Sequence, residues 1–190
     1  MPKSSSFVDA IKSGVDDLAR ALTPASVAGL PGIGGGVNIL DLLKADHDRF
    51  RDLLDKIMKG RGQHRADLFK TFKLEITAHS RAEEKALYVP MQKFEEGKKK
   101  ALEGDVEHEV VDYLLAELAR PRNKDTDNWT ARCQVLQELT EHHLDEEESD
   151  LFPMARKHFD SAALDKMGQQ FIKEKRKHGV NDEVPRQAAE

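Results

Sequence analysis

Four long stretches of this sequence each place a histidine where an amphipathic helix would carry a leucine. Apolar residues recur in each stretch at steps of three or four, the period of a helix face that packs on a core. In two stretches a glutamate follows the histidine by four residues, on the same face one turn further on. The four predicted core faces are Leu40, Leu43, His47, Phe50, Leu54 and Ile57; Phe72, Ile76, His79, Glu83 and Leu87; Ala101, Asp105, His108, Val111, Leu115 and Leu118; and Leu136, Leu139, His143, Glu147, Leu151 and Met154. A fold that buries these faces must also bury imidazoles and carboxylates.

The helical period predicts an all-α fold: an up-and-down antiparallel four-helix bundle with a short N-terminal helix and a fifth, C-terminal helix. Pro90 and Pro153 are expected to bend or interrupt the second and fourth long helices near their ends. Ser161 is the expected N-cap of the fifth helix. The predicted helices cover about 38–59, 63–95, 98–119, the stretch from about 128 to 158, and 161–177.

The chain divides into three parts on its local composition. Residues 1–36 contain a short amphipathic helix over 7–22, followed by a Gly/Pro-rich linker. Residues 37–178 form the bundle with its C-terminal helix, and residues 179–190 are expected to be a disordered tail. The role of the N-terminal helix and the oligomeric state stay open.

Charge and apolar content exclude several classes of protein. Charged residues make up 34% of the chain and their signs are mixed, with a net charge of −5, so no nucleic-acid partner is expected. No apolar run is long enough to cross a membrane, and the first residues lack the apolar segment of a signal peptide. The single cysteine, Cys133, rules out an intrachain disulfide framework. These features predict a cytoplasmic protein with no membrane partner.

Buried glutamates and histidines on these faces predict a metal site. Burying an unpaired, ionised carboxylate costs several kcal/mol, against a total stability of about 10 kcal/mol for a bundle of this size. A lone histidine on an apolar face is usually a hydrogen-bonded core residue, but here all four long helices carry one. A metal ion would supply the compensating charge for two glutamates and four imidazoles. Imidazole and carboxylate ligands without thiolate suit Fe, Mn or Zn.

An internal repeat arranges these residues into two similar halves. The segment 46–54 aligns with 107–115, matching an acid, a histidine and two leucines, and 79–88 aligns with 143–152. The repeat predicts a pseudo-twofold axis with two half-sites and with Glu83 and Glu147 close to the axis. It also assigns His143, rather than the adjacent His142, to the buried face, because His143 aligns with His79.

The motifs "LLKADHDRFRDLL", "HSRAEEKALYVP", "VEHEV" and "HLDEEESDLFP", within about residues 39–158, resemble the hemerythrin-like, HHE cation-binding family. The resemblance implies a four-helix bundle that holds two non-haem iron ions. Glu83 and Glu147 would bridge them together with an oxo or hydroxo group; Mn and Zn stay open as alternatives. The ligands that it implies are His47, His79, Glu83, His108, His143 and Glu147.

The same resemblance implies a function in oxygen chemistry. A di-iron protein of this kind would bind O2, peroxide, NO or iron, as a sensor or scavenger in oxygen, iron or oxidative stress. The alternative is a redox enzyme, with catalase- or peroxidase-like activity or iron–sulfur cluster repair, and whether the chain is an enzyme stays open. Repair proteins of the family commonly carry a cysteine-bearing N-terminal domain, and residues 1–36 contain no cysteine.

One position departs from the oxygen-carrying hemerythrins, which have two histidines spaced HxxxH on the third helix. Here Asp112 stands four residues after His108, so the ligand set has four histidines rather than five. Three roles stay open for Asp112: a metal ligand, a hydrogen-bond partner of His108, or a residue on the helix surface. Partnership with His108 is attractive because ligating histidines usually donate their other N–H to an acceptor. The departure argues against reversible oxygen carriage and favours redox chemistry or iron sensing.

Four further residues near the motifs have weaker expectations. Glu84 and Glu148 are equivalent by the repeat and are expected to be solvated or hydrogen-bonded to ligands. Tyr88 aligns with Phe152 and is expected to pack in the core, with a hydroxyl that reaches the metal as the minor alternative. Tyr113 is placed near the bundle interior.

Overall fold

The computed structural model describes residues 37–179. The predicted N-terminal helix over 7–22, the linker and the tail beyond 179 lie outside these residues. Within them every regular element is helical, and no helix is long and apolar enough to cross a membrane. The elements are α1 (Ile39–Lys59), α2 (Gly62–Glu83), the π-helical turn π1 (Glu84–Tyr88), α3 (Val89–Met91), α4 (Glu95–Ala119), α5 (Asp127–Glu146), the π-helical turn π2 (Glu147–Leu151), α6 (Phe152–His158) and α7 (Ser161–Lys177).

Short polar side chains cap three of the long helices, α1, α5 and α7. The Asn38 side chain accepts a hydrogen bond from the Leu40 amide at 2.9 Å. At α7 the expected cap, Ser161, is wrong: the Asp160 carboxylate accepts from the Ala163 amide at 2.8 Å, and Ser161 is the first helical residue. Both residues suit an N-cap, and the carboxylate one position earlier takes the role.

The interruptions predicted at the two prolines are π-helical turns rather than breaks. The Val89 amide donates to the Glu84 carbonyl and the Phe152 amide donates to the Glu147 carbonyl, in each case five residues back. A proline ring clashes with the carbonyl four residues before it and has no amide hydrogen to donate. The wider turn just before Pro90 and Pro153 relieves this clash, so the chain stays helical through it.

The long helices pack in a bundle around a layer of buried polar residues at the level of His47. Helix α1 packs on α2 and α5, α4 packs on α5 and α2, and α7 packs on α1, α2 and π1. Two apolar clusters form the core, one around Leu43, Tyr88 and Leu151 and the other around Phe72 and Leu115. Along α1 the clusters are separated at His47, so the site level divides the core in two.

Three side chains lie elsewhere than their sequence pattern predicts. Leu139 is 38% exposed and Thr140 is buried in its place, because the face of α5 that enters the core passes through the polar residue. On α4 the buried position is Gly104, and Asp105 is only half-buried. Tyr113 is exposed rather than internal.

Candidate metal centre

The six residues predicted as ligands are all buried, each at most 4% exposed. Helix α1 carries His47, α2 carries His79 and Glu83, α4 carries His108, α5 carries His143, and π2 begins with Glu147. Donor atoms of His47, His79, Glu83 and Glu147 lie within 4.8 Å of one another, and so do donor atoms of Glu83, His108 and His143. Glu83 belongs to both groups, and His143 Nε2 lies 3.6 Å from Glu147 Oε2, so the structure brings all six residues together as two adjoining groups that share both glutamates.

We call His47 and His79, with the carboxylates that hold them, the first half-site. The Nδ1–H of His47 donates to Glu148 at 3.0 Å, and that of His79 donates to Asp46 at 2.9 Å. A carboxylate only accepts, so Nδ1 carries the proton and Nε2 is left with its lone pair. The free Nε2 atoms lie 3.4 Å from Glu147 Oε2 and 3.3 Å from Glu83 Oε2 respectively, so both imidazoles direct a lone pair at the shared glutamates.

We call His108 and His143, with their carboxylates, the second half-site. The Nδ1–H of His108 donates to Glu84 at 3.3 Å, and that of His143 donates to Glu107 at 2.6 Å. Glu107 is the repeat equivalent of Asp46, and Glu84 is the equivalent of Glu148. All four imidazoles are therefore oriented by a carboxylate from another helix, the arrangement that fixes tautomer and ring direction in metal sites.

An arginine holds the carboxylate behind each α1 or α4 histidine. In the first half-site Arg51 donates to Glu148 at 2.8 Å and to Asp145 at 2.7 Å. Asp145 is exposed, so this pair closes the outer side of the half-site.

In the second half-site Arg81 donates to Glu84 at 2.7 Å and also to Asp112. The repeat equates Asp112 with Arg51 and Arg81 with Asp145, so the two outer ion pairs occupy equivalent positions with opposite polarity. The sequence favoured Asp112 as the hydrogen-bond partner of His108, but in the structure that partner is Glu84.

The buried polar atoms at the centre test whether a cation fits. His47 Nε2, His79 Nε2, both carboxylate oxygens of Glu83 and Glu147 Oε2 have no hydrogen-bond partner. Buried polar groups nearly always have one, and unpaired ones are costly. One or two cations among these atoms would satisfy them, and nitrogen and oxygen donors without sulfur suit iron. The one cysteine, Cys133, lies in the second apolar cluster, where burial raises the pKa of its thiol to about 11. The residues present fit a metal of this type.

Charges around the two shared glutamates differ. Burial and the nearby charge of Glu147 raise the pKa of Glu83 well above its usual range. Burial would also raise the pKa of Glu147, but the positive charge of His143 outweighs it and lowers that pKa. Two buried carboxylates this close cannot both ionise without cations beside them.

The imidazole pair of the second half-site shares one proton. Burial opposes the charged form of both rings, and it lowers the pKa of His108. The carboxylates of Glu147 and Glu107 raise the pKa of His143 to about 9. The Nε2–H of His143 accordingly donates to His108 Nε2 at 3.1 Å. Positive charge is therefore already stabilised at this point.

A family model agrees with this ligand pattern. The model of the hemerythrin HHE cation-binding domain matches residues 38–155, which include all six buried residues. The chain belongs to the hemerythrin HHE cation-binding domain family. Searches of curated proteins and of solved structures gave no match. Membership implies that the HHE domain binds a cation.

The two half-sites of this HHE domain have different aromatic neighbours. Phe152 stacks on His47 with ring centroids 5.8 Å apart, and Tyr88 stacks on His108 at 5.5 Å. Only Tyr88 has a hydroxyl, and it donates to Glu147 Oε1. Tyr88 therefore packs as expected and also binds a candidate ligand directly.

Gly104 lies against the Tyr88 ring, where an added Cβ would collide with the hydroxyl and the carbon that bears it. The repeat equivalent of Gly104 is Leu43, a fully buried core residue next to the first half-site. The two half-sites of the HHE domain thus differ at a position that the histidine and glutamate motifs do not include.

Sequence reasoning assigned no role to several residues around the site, among them Asp46, Glu107 and Gly104. Asp46 and Glu107 were recognisable, since each directly precedes a histidine in both copies of the repeat. Gly104 had no such signal beyond being a glycine inside a predicted helix. His142 is exposed as predicted, yet a donor atom of its ring lies within 4.8 Å of donor atoms of Glu107 and Glu146.

Proposed function

We propose that this protein is a non-haem di-iron protein that binds O2-derived species, NO or iron, as a sensor or scavenger in oxygen, iron or redox stress. The observation that carries the proposal is the set of buried nitrogen and oxygen atoms of His47, His79, Glu83 and Glu147 that have no hydrogen-bond partner. A bundle that leaves such atoms unpaired loses stability, and a bound cation recovers it.

The residues divide naturally between two irons within the four-helix arrangement of the long helices. His47 and His79 would hold one ion, His108 and His143 the other, and Glu83 and Glu147 would be shared. Bound iron would supply redox chemistry and an electrophilic centre for small ligands. The chain's own carboxylates, Asp46, Glu84, Glu107 and Glu148, accept from the Nδ1–H of each imidazole and so direct its Nε2 toward the centre.

The ligand count supports sensing or scavenging over reversible oxygen carriage. The position that would provide a fifth histidine is Asp112, which is engaged with Arg81 at the rim. Four imidazoles and two carboxylates for two ions leave room for an exogenous ligand. Hemerythrin-like domains in general take small ligands such as O2, which agrees with this proposal.

One observation favours the alternative, a di-iron redox enzyme. The Tyr88 hydroxyl donates to Glu147 inside the core, so a hydrogen-bond donor lies beside the candidate centre. Burial and the charges of Glu147 and Glu83 raise the pKa of Tyr88, so the hydroxyl keeps its proton and stays a donor. A redox reaction of a bound oxygen species has use for such a donor, which stabilises negative charge on oxygen.

Metal analysis of protein purified in air tests the proposal directly. We expect two irons per chain and a loss of thermal stability when a chelator removes them. Less than about half an equivalent of any transition metal, with thermal stability unchanged by chelator, would contradict it. Oxygen release after addition of hydrogen peroxide then separates the enzyme from the binder.

Single substitutions test which residues bind. Glu83→Ala and Glu147→Ala are expected to lose metal and to melt at the same temperature with and without chelator. The control, His142→Ala, removes a neighbouring but exposed histidine and is expected to keep both irons. Equal metal loss in all three variants would show that the assignment of the buried face is wrong.

A further inference from the structure

We propose that small ligands reach the metal centre through the second half-site, past Gly104, Tyr88 and Glu147, and that the first half-site is closed to them. The inference rests on the proposed di-iron function and adds the route and the side of ligand binding. The ligands that it concerns are diatomic gases and small anions.

Helix α7 covers the first half-site. Phe171 lies edge-on against the His79 ring, with centroids 5.6 Å apart, and Lys175 donates to Asp46 at 2.5 Å. Gly168 places the helix so close to the Val37 carbonyl that no side chain fits between them. With Phe152 stacked on His47, an aromatic ring or an ion pair covers both imidazoles on the side away from the centre.

The second half-site borders a cavity instead. The cavity has a volume of about 10 Å³, enough for about one water-sized molecule. Its inner wall includes the buried side chains of His143, Glu147 and Tyr88, and its outer wall includes the partly exposed Glu103 and Glu146. The cavity therefore lies between solvent and two candidate ligands.

Glycine at position 104 makes room for the Tyr88 hydroxyl, and both residues line the cavity. A glycine inside a helix costs about 1 kcal/mol relative to alanine, so helix stability does not favour it here. An alanine methyl would meet the Tyr88 ring, and the leucine found at the equivalent position of the first half, Leu43, would fill the space. Gly104 therefore lets the Tyr88 hydroxyl lie at the cavity, where it reaches Glu147.

A lysine closes the outer mouth of the cavity. Lys100 lines the cavity and pairs with Glu146 at 3.1 Å and with Glu103 and Asp150 at 3.2 Å. These pairs join α4 to α5 and π2 across the opening. Pairs of this type at a partly exposed surface are weak and open readily, so the mouth can admit a small ligand.

Azide, a small anion that binds ferric iron and changes its visible absorption, serves as the probe. Its association rate is measured by stopped flow on iron-loaded wild type, Lys100→Ala, Gly104→Ala and the control Lys85→Ala, with iron content measured in parallel. Lys85 pairs with Glu174 at 3.2 Å and joins π1 to α7, so its removal loosens the cover of the first half-site in the same way.

We expect azide to associate faster in Lys100→Ala, about tenfold more slowly in Gly104→Ala, and at the wild-type rate in Lys85→Ala, all with two irons retained. A faster rate in Lys85→Ala with no change in Lys100→Ala would overturn the proposed route. Iron-loaded wild type that takes no azide would overturn it as well, while leaving the metal proposal standing. Absence of iron from the wild type would instead refute the metal proposal itself. Lys100 is half-buried and makes ion pairs rather than core contacts, so the test does not depend on the folding of Gly104→Ala.

Discussion

His47 and His108 occupy equivalent positions in two copies of one helix pair, and each lies beneath an aromatic ring and is held by a glutamate from another helix. Around His47 the ring is Phe152, the neighbouring position on α1 is Leu43, and α7 packs behind His79. Around His108 the ring is Tyr88 and the equivalent of Leu43 is Gly104.

The difference separates two requirements of a metal site. The candidate ligand frame, a histidine on each long helix oriented by a carboxylate, is the same in both halves. What surrounds it differs: the first half-site is covered by aromatic rings and an ion pair, and the second has a hydroxyl and a small cavity. A duplicated ligand frame can thus have unequal surroundings in its two halves.

The largest expected effect comes from removing the cover of the first half-site. Phe171→Ala is expected to lower the free energy of unfolding by about 3–5 kcal/mol, because the ring is fully buried against His79 and the first apolar cluster. Urea denaturation measures this. Leu102→Ala, on an exposed part of α4, is the control and should change stability by less than about 0.5 kcal/mol. Similar values for the two variants would show that α7 is not a structural part of the half-site.

Tyr88→Phe tests the hydroxyl that distinguishes the second half-site. It removes a hydrogen bond to a charged carboxylate, and we expect metal-free protein to lose about 1.5–3 kcal/mol. The measurement is urea denaturation in the presence of chelator, with Tyr113→Phe at an exposed position as the control. No loss of stability in Tyr88→Phe would mean that the Tyr88 hydroxyl contributes nothing to the second half-site, so Tyr88 and Phe152 would be equivalent in stability.

Asp46→Asn and Glu107→Gln compare the carboxylates behind His79 and His143. Each is expected to weaken metal affinity about 10–100-fold, since a carboxylate fixes the direction of the imidazole. Competition with a chelator of known affinity measures this. Asp46→Asn should have the larger effect, because it also leaves Lys175 unpaired. Glu109→Gln, at an exposed position next to His108, should bind metal as the wild type does.

The smallest effect is expected at Asp112. Its pair with Arg81 is partly exposed, so Asp112→Ala should change the free energy of unfolding by less than about 1 kcal/mol and leave metal content unchanged. Metal analysis and urea denaturation of the one variant check both statements. Loss of one iron would instead identify Asp112 as a ligand and contradict its placement in an outer ion pair with Arg81.

The six buried site residues and the order of the helices were predictable, because both follow from spacing within single helices and from one repeat. The contact of Gly104 with Tyr88 was not predictable from the sequence. The repeat equates these two residues with Leu43 and Phe152 and gives no reason for the two halves to differ there. The choice of Thr140 over Leu139 for the core depends on the rotation of α5 against its neighbours, which a pattern of apolar residues does not contain. The position of α7 over His79 is likewise a property of tertiary packing.

The π-helical turns have a consequence for how such a site can change. Such a turn is an α-helix with one residue added, and here each starts at a buried glutamate of the candidate site or directly after it, Glu147 and Glu83 respectively. Deleting a single residue from π1, such as Lys85, would remove the wide turn and bring the Pro90 ring against the carbonyl four residues before it, so the helix would kink at this point. His79 and Glu83 precede the turn and would keep their spacing, while the segment that carries Tyr88 changed direction. The loss of one codon therefore separates the part of the helix with the candidate ligands from the part that carries the aromatic neighbour.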